Sequence, residues 1–104
     1  SFRAYAGYLQ SAARQHFEQK ARDAGGGKTP LVYVFLARGD QAYGDAVSPD
    51  VTAEQVAKLG LYEKAGDGVY ATQITVEKTP FAVVAKRMPK LGPEVAIAVL
   101  ASVL

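Results

Sequence analysis

The stretch Val69 to Pro89, VYATQITVEKTPFAVVAKRMP, constrains the fold more than any other part of the chain, because it reads as two strands joined by a tight turn. Tyr70, Thr72, Ile74 and Val76 alternate with Val69, Ala71, Gln73 and Thr75. Side chains of this kind suit a pleated, half-buried surface, and the first set is expected to face the core. Glu77-Lys78-Thr79-Pro80 reads as the turn, with Pro80, which cannot donate to a ladder, at the start of the returning strand. Phe81, Val83 and Ala85 then alternate with Ala82, Val84 and Lys86 until Pro89 and Gly92-Pro93 end the strand.

Upstream, Phe2, Tyr5, Leu9, Ala12, Ala13, His16 and Phe17 recur at spacings of three and four, an amphipathic helix from Phe2 to about Ala24 that Gly25-Gly26-Gly27 stops. The stripe reads as a flank packed on the chain's own sheet. A seam between two copies is the alternative, because its spacing is nearly heptad-like. Leu31 to Ala37 is a continuous apolar run, too short for a typical buried helix, and reads as a central strand. Arg38-Gly39-Asp40-Gln41 turns it into a shorter strand over Ala42 to Val47, and Ser48-Pro49-Asp50 breaks the sheet. Thr52 with Gln55 three residues on matches a capping box, predicting a short helix to Leu59 that Gly60 closes. Leu61 and Tyr62 pack back on the core, and Ala65-Gly66-Asp67-Gly68 is a loop. Val95 to Leu104 carries no charge and follows Pro93, which suits a first helical turn. It reads as an apolar terminal helix or as the start of a membrane span completed by roughly ten further apolar residues. The whole predicts one α+β domain over residues 1–104, with an antiparallel sheet of four to five strands, a long N-terminal helix, a short middle helix and an apolar C-terminal helix.

Length and charge narrow the functional classes. With 104 residues, 49% of them hydrophobic, the chain suits a single core. Twelve basic against ten acidic residues, a net charge of +2, lack the concentrated basic face that nucleic-acid binding needs. The absence of cysteine excludes disulfides, thiolate metal sites and cysteine nucleophiles, and is compatible with either side of a bacterial inner membrane. A start on Ser1-Phe2 without methionine reads as a processed or excised chain.

Catalytic signatures are missing. Gly27-Lys28-Thr29 imitates the end of a phosphate loop, but Arg22 stands where the motif needs glycine and a helix precedes it instead of a strand. His16, the single histidine, has only Glu18 near it at ligand spacing. Arg38-Gly39-Asp40 is a hairpin turn before it is an adhesion motif. Asp40, Asp45, Asp50 and Asp67 lack calcium-loop spacing, and Ser11, Ser48 and Ser102 lack a nucleophile elbow. No metal site and no cofactor are expected, and an enzyme working through Lys86, Tyr70 and Asp45 ranks last for want of a paired acid and base. A ligand pocket ranks ahead of that enzyme. Tyr33, Tyr43 and Tyr70 lie on strands where hydroxyls can orient a small ligand, although aromatics also simply fill sheet cores. Lys86 and Arg87 point to opposite faces of the last strand, so one of them can join Tyr33, Tyr70 or Arg38 around an anionic group.

The order helix, hairpin, short helix, long hairpin and apolar end resembles the PAS-like periplasmic sensor domain of bacterial two-component sensor histidine kinases. The resemblance rests on the N-terminal helix, on LVYVFLARGDQAYGD (Leu31 to Asp45), and on Thr79-Pro80-Phe81 running into AVVAKRMP. It implies an extracytoplasmic signal-sensing module of an inner-membrane protein, with no catalytic motif of its own. In that family the N-terminal helix continues from a membrane span and pairs with its twin, so the resemblance implies a homodimer through Phe2, Tyr5, Leu9, Ala12 and His16. It also implies a small-molecule ligand and membrane attachment through segments outside residues 1–104. The same order of elements is similar to roadblock or profilin-like interaction modules, which would make the chain a cytoplasmic dimerisation or partner-binding domain without ligand.

Overall fold

A computed structural model of the protein describes residues 2–23, 30–44 and 47–103. The fold is α+β, built on one five-stranded antiparallel sheet in the order β2-β1-β5-β4-β3. The strands are β1 (Val32–Arg38), β2 (Gln41–Gly44), β3 (Val69–Val76), β4 (Thr79–Arg87) and β5 (Val95–Ser102). The helices are α1 (Phe2–Asp23), α2 (Asp50–Ala57) and α3 (Leu61–Ala65), with a 3-10 turn at Pro89–Leu91.

The long hairpin follows the alternation of its sequence. Phe81, Val83 and Ala85 are buried with Val76 and the partly buried Tyr70 and Ile74 in the main core, while Val69, Ala71, Gln73, Ala82 and Val84 are exposed. Its turn is tighter than expected. Glu77 and Lys78 alone form it, both at positive φ (48° and 72°), and Thr79 and Pro80 already pair with Val76 and Thr75. Such a two-residue turn matches the twist of the strands it joins, and Pro80 opposes Thr75 without needing an N–H.

The C-terminal segment is not a helix. Val95–Ser102 is β5, the middle strand of the sheet, paired with β1 on one side and β4 on the other. A short apolar run has no period that separates a buried helix from a strand covered on both faces. Here both faces are covered. Ala96, Ala98 and Leu100 enter the main core, and Val95 and Ile97 enter the cluster with Leu36 and Ala6 of α1. The β-branched Val95, Ile97 and Val99 favour the strand, and Glu94, at a φ of 59°, lies outside right-handed helical geometry. This run is therefore not the start of a membrane-spanning helix, and among the described residues no helix is long and apolar enough to cross a membrane.

The middle region departs from expectation in smaller ways. β2 ends at Gly44, Val47 is in a turn, and Asp45 and Ala46 lie outside the described residues. The capping box does not form. Helix α2 starts at Asp50 after Pro49, and Thr52 is a fully buried residue whose hydroxyl has no hydrogen-bond partner among the described residues. Gln55 donates instead to the Thr75 carbonyl at 2.9 Å. Gly60 (φ 62°) turns the chain from α2 into α3, so Leu61 and Tyr62, expected to pack back on the core, do so from a helix. The glycine run expected to stop α1 lies outside the described residues, and α1 ends just before it at Asp23.

Helices α2 and α3 cover one face of the sheet, and α1 crosses the opposite face over β1 and β2. The side of α1 turned to the sheet is not the apolar stripe. Ala6 and Gln10 are buried and Arg14 is half-buried, whereas Tyr5, Ala12 and His16 are exposed and Leu9 is half-buried; the side chain of Phe2 lies outside the described ones. The physical reason is the unfinished edge of the sheet. The Leu31 carbonyl accepts from Ser102 on the β5 side, so the next carbonyl, Val32, turns the other way, where β2 reaches only as far as Phe35. Arg14 Nε donates to that carbonyl at 3.0 Å, and Gln10 Nε2 donates to the Tyr43 carbonyl. A helix laid against such an edge needs donors on its inner side, because buried backbone carbonyls must be paired.

Candidate ligand cleft at the end of strand β4

Arg87 ends β4 on the side covered by α3, following Phe81, Val83 and Ala85 at the two-residue repeat of that face. Alanines at positions 85, 96 and 98 leave room beneath α3, and Leu61 fills it. That docking places Tyr62 against Arg87. The guanidinium carbon lies 3.9 Å from the Tyr62 ring centroid, and Nε donates to the Tyr62 carbonyl at 2.7 Å. Stacking on an aromatic face and a hydrogen bond to a carbonyl together hold a long side chain in one orientation. Among the described residues Arg87 makes no ion pair, so its two Nη groups keep their donor capacity for solvent or an anion.

Tyr62, Gly66, Asp67, Gly68, Lys86, Arg87 and Pro89 line an open cleft of about 380 Å³ beside this pair. Gly66, at a φ of 53°, reverses the chain out of α3 and forms one wall. Two cations against one carboxylate give the cleft a positive balance, suited to a carboxylate or phosphate that accepts from a guanidinium fork. Among the described residues no group of three histidine, cysteine, aspartate or glutamate side chains is placed to hold a metal ion.

The six residues expected to bind a ligand are divided by the fold. Lys86 and Arg87 line the cleft from opposite faces of the strand. Tyr70 is on the neighbouring strand, paired with Ala85, with Lys64 Nζ 5.4 Å from its ring. The other three are elsewhere. Tyr33 packs on Phe81 with ring centroids 5.7 Å apart. Tyr43 belongs to the α1 side, its carbonyl bonded to Gln10 and its hydroxyl donating to Gln41 at 2.6 Å. Arg38 is exposed at the end of β1. Asp45, considered as an acid, lies outside the described residues. Sequence reasoning missed Tyr62 and Asp67, whose signal is an aromatic followed closely by Gly66-Asp67-Gly68 at the entry to a strand.

Comparison with protein-family models, with curated proteins and with solved structures finds no match for this chain.

Proposed function

We propose that this domain is a sensing module that takes a small anionic ligand in the Arg87 cleft and passes its occupancy to α1 across the sheet. The observation that carries the reading is the pre-oriented Arg87, stacked on Tyr62 with its Nη groups unpaired among the described residues, at the mouth of a cleft also lined by Lys86. Strand β4, which bears it, pairs with β5, and β5 pairs with β1, on whose far face α1 rests. A ligand that binds one arrangement of the α3–β3 loop better than another biases whatever is mechanically joined to it. In this reading the domain is the extracytoplasmic part of an inner-membrane histidine kinase, and α1 pairs with its twin along Tyr5, Leu9, Ala12 and His16 when the membrane holds two copies side by side, where tethering supplies a high effective concentration that the free domain lacks. Support for that pairing comes from the 55% and 72% exposure of Tyr5 and Tyr8 on the outer side of the helix. The same exposure supports the second reading, a ligand-free interaction module.

Thermal denaturation against a panel of carboxylate- and phosphate-bearing metabolites separates the two. A ligand at 100 times its Kd adds about 2.7 kcal/mol, and each 1 kcal/mol moves Tm by about 4–8 °C in a domain of this size. The sensing module shows such a rise with at least one metabolite, and Arg87→Gln abolishes it while leaving the circular dichroism spectrum unchanged. A Tm that responds to protein concentration and to no metabolite identifies the interaction module instead.

A further inference from the structure

Strand β3 is an edge of the sheet, and its eight residues, Val69–Val76, contain no charge and no proline. Its register with β4 runs without interruption from Val69↔Lys86 to Val76↔Thr79, so no bulge twists the edge away. Charge, proline, bulges and covering segments are the devices that keep edge strands from pairing with other chains. The opposite edge, β2, is only four residues long, and shortness is itself one of the devices that blunt an edge. On β3 the single such device among the described residues is Gln55, bonded to the Thr75 carbonyl.

The hairpin fixes which groups point outward. Residues flanking a two-residue turn form a hydrogen-bonded pair, and hydrogen-bonded and non-bonded pairs then alternate. Val76, Ile74, Thr72 and Tyr70 therefore address β4, and Thr75, Gln73, Ala71 and Val69 turn their N–H and C=O away from it. The bond from Gln55 to the Thr75 carbonyl and the proline opposite Thr75 both agree with this assignment. The backbone groups of Val69, Ala71 and Gln73 have no partner among the described residues.

We propose that this edge is a self-pairing surface, on which a second copy of the chain adds its own β3 antiparallel about a two-fold axis at Ala71. Unpaired groups at 69, 71 and 73 are symmetric about 71, as an isologous interface requires. Ala71 meets Ala71 of the second copy and Val69 meets Gln73, each pair exchanging two N–H···O bonds, and the Gln55–Thr75 bond is kept. No like charges meet, because the strand has none, and a net charge of +2 leaves little overall repulsion. The axis is perpendicular to the sheet, so the exposed Val69 (62%) and Val84 (47%) of both copies join in one belt on the face that α1 leaves uncovered. A second copy fits better than a foreign extended peptide: peptide recognition at an edge takes its specificity from pockets for alternate side chains, and the Arg87 cleft stops at Gly68. The inference does not depend on the sensing role.

Sedimentation of the full chain over a range of concentrations tests it. The expected result is a monomer–dimer equilibrium that Ala71→Lys and Ala71→Glu each abolish, since each places identical charges together at the axis. Mixing the two variants restores a dimer containing one of each. Ala71 is exposed, so neither change enters the core, and circular dichroism verifies that both fold. Tyr8→Ser, on the outer side of α1, leaves this association unchanged. A chain that stays monomeric, a dimer indifferent to charge at position 71, or a dimer lost with Tyr8→Ser would each overturn the proposal, as would an edge that pairs with an unrelated extended peptide and not with itself.

Discussion

Gly44 is small because two other residues occupy the space a side chain would need. A Cβ there would lie 2.5 Å from Ser48 Cβ and 2.7 Å from the Phe35 ring, and Phe35 is fully buried. Gly44→Ala is expected to cost about 1–3 kcal/mol by overpacking, read as a lower urea midpoint with an unchanged m-value. Thr52 presents the reverse case. Its hydroxyl is buried without a partner among the described residues, so the isosteric Thr52→Val removes an uncompensated desolvation cost and is expected to stabilise by about 1 kcal/mol. Thermal unfolding checks the sign, which is opposite to that expected if Thr52 capped α2. Spacing alone made Thr52 and Gln55 a capping box, because the pattern is the same whether a threonine precedes the helix or is buried within its first turns.

At the level of elements, α1 shows why periodicity located a helix and misassigned its inner side. Spacings of three and four picked out Tyr5, Leu9, Ala12 and His16, but the sheet beneath the helix presents backbone carbonyls, and Gln10 and Arg14 donate to those of Tyr43 and Val32. Gln10→Leu keeps the volume and removes the donor. It is expected to cost about 0.5–1.5 kcal/mol, the net worth of one hydrogen bond, because the Tyr43 carbonyl stays in the β1–β2 ladder opposite Leu36, although leucine is the more hydrophobic residue. Urea denaturation gives the magnitude, and faster hydrogen exchange in α1 than in β1 would localise the loss. Strand β5 teaches a related lesson. Val95 to Ala101 is apolar throughout because it is covered on both faces, and only the presence of β1, β4 and α1 around it distinguishes that from a buried helix.

For the whole molecule, the two faces of one sheet carry different work. Small side chains at Ala85, Ala96 and Ala98 let α3 approach, which brings Tyr62 to Arg87 and opens the cleft; on the other face α1 covers only the β1–β2 half. The chain determined by itself what depends on neighbours along the chain: the presence and extent of α1 and β1, the buried set of the long hairpin, the exit of Lys86 and Arg87 on opposite sides, and the α+β class. Local geometry and a two- or four-residue repeat suffice for these. Tertiary structure alone decided that β5 occupies the centre of the sheet, that polar residues of α1 turn inward, that Tyr33, Tyr43 and Arg38 part from Arg87, and that Tyr62 joins it. Each of these depends on which strand lies beside which, and pairing partners far apart in the sequence leave no mark on the local pattern of either one.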